Sequence, residues 1–386
     1  MVRLLFITDF TESFAYALLK GIIRYSSETE QWVVCRMPSE YKKRLGMKGV
    51  VTWAKNWGAD VVIGQFEEDD DVRLFLKNGI VALAQDYKKK FTTIPNITAD
   101  YIRTGRMAAD LYLHKGFRHF AFFGYKGVCW SEERCEGFRG RIEEAGFGDH
   151  FYLYDKQVID NLWYYEAEEL RNWLISLPKP VAVMACDDNQ GNALIEACNS
   201  AGVKIPSDLS LIGVDNDEVI CTLSDPTLSS IQVDIEMGGY ETARMASRML
   251  KDPSFKGHDI VLQPKKIVHR VSTSAYATTD KEVLRALQYI RQNLCTKLSV
   301  SDVLEQVPLS RRLLEVRFKN VLGVSIYQYI SQQRIGRFAE LLLETNDSIQ
   351  EIAYKLGEDD AKGICRRFKD LKGCTPTEWR NRKNAN

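Results

Sequence analysis

Two short acidic turns carry most of the chemistry in the first part of this chain. Ala185-Cys186-Asp187-Asp188 closes one apolar run, and Gly213-Val214-Asp215-Asn216 closes another that begins at Leu209. Carboxylates at the carboxyl ends of parallel strands sit where open α/β sheets take their ligands. Asp and Asn at such places can hydrogen-bond several hydroxyls of a polyol while an aromatic covers its apolar face. Trp53, Trp57, Trp130 and Trp163 are the candidates for that cover, though each fits a core or rim position as well. Near the other end, Arg311, Arg312 and Glu315 share one face of a short helix, opposite the apolar pair Leu314 and Phe318. Such a face can enter a major groove and touch base edges or phosphates. The five histidines form no HxH or HExxH, and neither GxxxxGK[ST] nor GxSxG occurs. No catalytic constellation, metal site or cofactor is therefore expected.

The elements that must position these residues fall into two groups. Up to about Thr279, short apolar runs (Leu4–Thr8, Val61–Gly64, Val81–Leu83, His119–Phe123, Val181–Ala185, Leu209–Val214) alternate with amphipathic windows such as Tyr16–Glu28, Tyr101–Lys115, Arg134–Ala145, Glu166–Ser176 and Gln190–Ala201. That alternation predicts βαβ units with mainly parallel sheets, covered by helices on both faces. A small, polar stretch follows Arg270, and everything after it reads as helix. The expected division is a sensing domain over 1–275, a linker over 276–282 and an all-α domain over 283–386. A chain of 386 residues is long enough for two or three packing units. Nine single cysteines without a CxxC pair predict reduced core thiols. The apolar start, Met1 to Ile7, is broken by Asp9 with no cleavage site after it, and no run is long enough to span a membrane, so a cytoplasmic protein is expected. A net charge of zero conceals an imbalance: 19 of the 52 Lys and Arg but 14 of the 52 Asp and Glu lie from Asp280 onward, which leaves a basic tail on an acidic body.

Within the tail, Arg317-Phe318-Lys319-Asn320-Val321-Leu322-Gly323 recurs fifty positions later as Arg367-Phe368-Lys369-Asp370-Leu371-Lys372-Gly373. A short amphipathic helix precedes each copy, at Val300–Leu304 and Ile349–Ala353, which predicts a helix-turn-helix present twice. Ser310 is placed as the N-cap of the first recognition helix, and Gly323 and Gly373 as C-caps. The stretch Ile326–Glu344 predicts a connecting helix of about 28 Å, able to hold two recognition helices roughly one DNA turn apart.

The tail resembles the DNA-binding domain of the AraC/XylS family across about 100 residues. The resemblance rests on Leu309-Ser310-Arg311-Arg312, Arg317-Phe318-Lys319, Arg334-Ile335, Ser348-Ile349-x-x-Ile352-Ala353 and Thr375-Pro376-x-x-Trp379-Arg380. It departs where the family usually carries Gly-Phe, because here Gly357-Glu358-Asp359-Asp360 precedes the second recognition helix and Gly363 lies inside it. An acidic run faces phosphate unfavourably, so the second unit is expected to read weakly, with Lys362 and Arg366 touching mostly phosphate. The first part resembles the periplasmic-binding-protein-like sensor of LacI-family repressors. Asn96-Ile97-Thr98-Ala99-Asp100, Gly116-Phe117-Arg118-His119, Arg134-x-x-Gly137-Phe138 and Arg270-Val271-Ser272-Thr273 carry that likeness.

A LacI-like sensor ahead of an AraC-like tail is the arrangement of xylose-operon activators. The resemblance implies a two-lobed sensor in which Arg134, Asp187 and Asp215 contact a sugar, xylose favoured, with Asp9, Glu12 and Asp86 as a looser set from the first lobe. It further implies double-stranded promoter DNA and RNA polymerase as partners, a homodimer, and no membrane. The alternative is the same tail joined to a sensor for another small molecule or a protein.

Overall fold

The computed structural model describes residues 1–8, 13–157, 167–278 and 280–381. Asp9, Glu12 and Trp163 lie outside the described residues. The chain forms two compact units, Met1–Tyr112 with Arg118–Ala275, and Tyr276–Asn386 with Leu113–Phe117.

In the first unit the order is β1 (Val2–Thr8), α1 (Ser13–Glu28), β2 (Trp32–Pro38), α2 (Ser39–Trp57, broken at Gly46), β3 (Val61–Gln65), α3 (Arg73–Lys77), β4 (Val81–Gln85) and β5 (Asn96–Ala99). Then come α4 (Tyr101–His114), β6 (Phe120–Lys126), α5 (Cys129–Glu144), β7 (Phe151–Gln157), α6 (Ala167–Ser176), β8 (Val181–Ala185), α7 (Asp188–Ala201), β9 (Leu209–Val214), α8 (Glu218–Leu223) and β10 (Ser229–Val233). The unit closes with α9 (Ile235–Lys251), β11 (Ile260–Leu262) and β12 (Pro264–Val268).

Two six-stranded sheets result, ordered β11-β5-β4-β3-β1-β2 and β12-β10-β9-β8-β6-β7. All the strand pairs are parallel except β10 with β12. The chain passes from the first sheet to the second after β5, returns through α9 to β11, and crosses again to β12. Three crossings between two sheets make a two-lobed body with the carboxyl ends of β1, β3, β4, β8 and β9 around one cleft.

The central strands are buried along their whole length, which is why they read as continuous apolar runs. The edge strands β2 and β7 were not foreseen, because exposed residues such as Arg36 and Asp155 interrupt their apolar pattern. The helix α9 was also missed; Gly238-Gly239 within it lowers helix propensity by about 1 kcal/mol per glycine relative to Ala.

The tail is α10 (Lys281–Asn293), α11 (Val300–Leu304), α12 (Arg311–Leu322), α13 (Ile326–Glu344), α14 (Ile349–Lys355), α15 (Ala361–Lys372) and α16 (Pro376–Asn381). Its two repeats have separate cores: Leu287, Leu314, Phe318 and Ile330 in one, Phe338, Ile352, Ile364 and Phe368 in the other. The local signals for these helices are strong and repeated. Ser299, Ser325 and Ser348 each close a capping box, and Gly323 and Gly373 end their helices in the left-handed region, at φ 75° and 70°. All nine cysteines are free thiols.

Candidate functional site

Arg134 organises the cleft of the first unit. It sits one turn into α5, 3% exposed, with its guanidinium between the rings of Tyr101 and Trp130 at 5.1 and 5.3 Å. Its Nη1 donates to the Cys186 carbonyl at 2.5 Å and its Nη2 to Asp215 Oδ1 at 3.1 Å. Asp215 reaches it because the chain leaves β9 with φ 95° at Asp215 and 56° at Asn216, a left-handed conformation rare for side chains with a Cβ. That turn is held by Arg270, which donates to Asn216 Oδ1 at 3.0 Å, and by Ser230, whose Oγ accepts from the Asn216 N–H at 2.9 Å. Burial pushes the Asp215 carboxyl up and Arg134 pulls it back, while burial opposes the Arg134 charge and Asp215 restores it. The pair is therefore an ion pair whose two charges depend on each other.

Asp187 caps α7, its Oδ1 accepting from the Gln190 N–H at 2.7 Å, and also lines the cleft. Asp188 is buried behind it and accepts from the Asp217 N–H at 2.7 Å. It fits only because residue 213 is glycine: a Cβ there would lie 2.2 Å from Asp188 Oδ1. From the opposite lobe comes Asp86, 3% exposed, whose Oδ1 accepts from the Tyr101 hydroxyl at 2.9 Å. Burial lifts its carboxyl to about 6.

Together these residues line a cavity of about 280 Å³, with Phe14, Gln65, Gln85 and Gln190 among the other walls. Asp86 Oδ2, Arg134 Nε and Gln190 Oε1 are buried and reach no hydrogen-bond partner among the described residues. A cavity lined by residues that carry unsatisfied polar atoms is a place where a polar ligand can complete their hydrogen bonds. The structure thus gathers Arg134, Asp187, Asp215 and Asp86 into one site. Tyr101 and Gln190 were missed by sequence reasoning, and Asp188, the last residue of the acidic turn, was not singled out as a site residue; only burial marks Asp188 and Gln190. Trp130 is in the wall, whereas Trp53 and Trp57 stack on each other at 5.8 Å within α2.

In the second unit, Ser310 caps α12 by accepting from the Leu313 N–H at 3.4 Å, and Arg311 and Arg312 stand exposed on the first turn. Glu315 is placed differently from the two arginines: its Oε2 accepts from the Ile326 N–H at 3.3 Å and ties α12 to the start of α13. Lys362 and Arg366 are exposed on the corresponding face of α15. The acidic run before α15 is occupied by the fold itself. Glu358 pairs with Arg334 and Arg367, Asp359 with Lys297, and Asp360 caps α15 through the N–H groups of Lys362 and Gly363. Each of the three carboxylates is thus engaged within the fold by a cation or by the helix end. No helix among the described residues is long and apolar enough to cross a membrane.

A buried polar cleft between two parallel sheets, on a chain that also carries paired helix-turn-helix units, defines a ligand-sensing, DNA-binding transcription regulator. A periplasmic binding protein-like domain model matches residues 109–273, and a helix-turn-helix domain model matches residues 303–382. The xylose operon regulatory protein of Haemophilus influenzae is 31% identical over 329 residues, covering 83% of this chain and 84% of the relative. That of Escherichia coli K12 is 29% identical over 343 residues, covering 85% of each. The solved structure of the xylose-binding transcription activator XylR shares the fold, with a TM-score of 0.59 at 24% identity over 98% of this chain and 97% of its own. The chain belongs to the family of xylose operon regulatory proteins.

Proposed function

We propose that the cleft binds xylose or a closely related pentose, and that the bound sugar controls how the tail engages promoter DNA to activate transcription. The observation that carries this is that Asp86, Arg134 and Gln190, each with a buried polar atom that has no hydrogen-bond partner among the described residues, line one cavity together with Trp130. Acceptors and a donor from both lobes suit the alternating donor and acceptor hydroxyls of a neutral sugar. Four carboxylates, Asp86, Asp187, Asp188 and Asp215, against the single arginine of the cavity wall disfavour sugar phosphates and sugar acids.

Arg134, Asp187, Asp215 and Asp86 are assigned to the sugar, with Gln190 and Trp130 added. Asp9 and Glu12 keep their place as first-lobe candidates. Ser310, Arg311, Arg312, Lys362 and Arg366 are assigned to DNA, while Glu315 serves the packing of α12 on α13. A cytoplasmic homodimer that recruits RNA polymerase completes the proposal.

The test is a thermal-shift panel of the full chain against neutral pentoses, hexoses, sugar acids and sugar phosphates. A ligand that binds only the folded sensor raises its melting temperature. A shift with xylose or one other pentose supports the reading. A shift with an anion alone, or with no sugar, transfers the sensor to another small molecule or a protein and leaves the DNA assignment to be judged separately.

A further inference from the structure

The junction between the two helix-turn-helix units is built from polar residues that neither hydrophobic core contains. Arg334, on α13, reaches back to the turn after α10. Its Nη2 donates to the Thr296 carbonyl at 2.6 Å and the Leu298 carbonyl at 3.4 Å, and its Nε to the Leu294 carbonyl at 3.3 Å. Its Nη1 faces Glu358 Oε1 at 3.4 Å. That same oxygen takes Arg367 Nη2, from α15, at 2.7 Å. The side chains of Arg334 and Glu358 are only 11% and 14% exposed.

The backbone beside them is pressed together. Gly357 has φ +73°, and a Cβ on it would lie 2.2 Å from the Thr296 carbonyl oxygen. Outside this contact, Lys297 meets Asp359 at 2.9 Å, but both side chains are about four-fifths exposed (78% and 81%), and such a pair contributes little. One sheltered carboxylate thus connects the turn of the first unit, the connecting helix and the second recognition helix.

We propose that Glu358 is a positioning residue that fixes α15 relative to α12 and so sets the half-site spacing the tail accepts on DNA. This rests on the DNA-binding assignment above. Two linked modules reinforce each other only when the linkage matches the span between their sites. One inserted base pair moves a half-site by about 3.4 Å and turns it by roughly 35°, which a rigid junction cannot follow. Without Glu358, Arg334 keeps its three carbonyls, but Arg367 loses its carboxylate and α15 loses this tie to Arg334, leaving only core packing on α13 to hold it.

The experiment uses the full chain and duplexes that the wild type selects from a random pool. Each is remade with one base pair inserted between the two protected boxes, and with the second box scrambled. For the wild type, the insertion should weaken binding by on the order of a hundredfold; for Glu358→Ala it should cost less than about tenfold, with equal affinity of both proteins for the one-box duplex. Glu358→Gln, which keeps an acceptor for both arginines, should fall between them. Hydrogen exchange gives a readout independent of DNA: amides at 294–298 and 361–368 should exchange faster in folded Glu358→Ala, with those of α12 unchanged. Equal insertion penalties, or exchange no faster than in the wild type, overturn the proposal. A wild type that selects no duplex sinks the DNA assignment instead, and the exchange comparison still decides the junction.

Discussion

In the sensing unit, Asp86, Arg134 and Gln190 are almost wholly buried, each with a polar atom unpartnered among the described residues. In the tail, Arg311, Arg312, Lys362 and Arg366 stand exposed on the outer face of two recognition helices. Both are recognition surfaces, but they are made in opposite ways. The cleft holds its groups fixed and buried, so folding already meets the cost of desolvating them and the ligand completes their hydrogen bonds. The reading face leaves its cations hydrated and mobile, suited to a polyanion whose charge supplies much of the affinity. The consequence is that cleft residues should couple stability to binding, whereas reading-face residues should affect binding alone.

The largest test of that contrast is Arg134→Ala. Asp215 would be left buried without its partner, at a cost of about 3–5 kcal/mol. The melting temperature should fall markedly and the response to sugar should vanish. A variant that melts like the wild type would break the contrast at once.

Next is Asp86→Asn. Burial lifts the folded carboxyl to about 6, against 3.8 for the free group. The folded chain therefore holds the extra proton between these values, so the stability this group contributes is fully present below about pH 4 and is lost as pH rises through 6. Asparagine removes that slope and should stabilise the chain at neutral pH by up to about 3 kcal/mol while weakening sugar binding. Melting curves of both proteins across pH 4 to 8 give the difference; parallel curves would assign Asp86 an ordinary, solvated role. In the wild type, sugar affinity should weaken below about pH 6, where the carboxylate that accepts hydroxyls is lost.

A smaller effect is expected from Arg311→Ala or Arg312→Ala. Each should cost about 1–3 kcal/mol in DNA affinity and relax specificity at one base pair, with stability unchanged within about 0.5 kcal/mol. Smallest should be Lys362→Ala and Arg366→Ala, which should weaken binding evenly across sequences and lower the salt slope by about one each. A sequence-dependent loss from either would raise the second unit to the rank of the first.

The same contrast governs what the residues disclosed before any coordinates. The tail was legible nearly helix by helix, because Ser caps, Gly ends and apolar spacing are local signals that each repeat states again. Its connecting helix matches the expected Ile326–Glu344 end for end. The buried strands β1, β3, β4, β6, β8 and β9 were legible as apolar runs, while the buried but polar β5 and β10, the edge strands β2 and β7 and the glycine-containing α9 were not. In the cleft, Asp187 and Asp215 announced themselves by position at strand ends. Gln190 and Tyr101 did not: only burial makes Gln190 notable, and only the contacts with Asp86 and Arg134 do so for Tyr101. The partners of the acidic turn before α15 were hidden for the same reason: Arg334 and Lys297, which engage it, are distant in sequence.

The most direct measurement is footprinting of the full chain on a duplex it selects, with and without xylose, alongside Asp215→Ala. A cleft that governs the tail should give protection that changes in extent or affinity with xylose in the wild type and stays fixed in the variant. Identical protection under every sugar tested would contradict the link between sensing and DNA binding, however tightly each occurs.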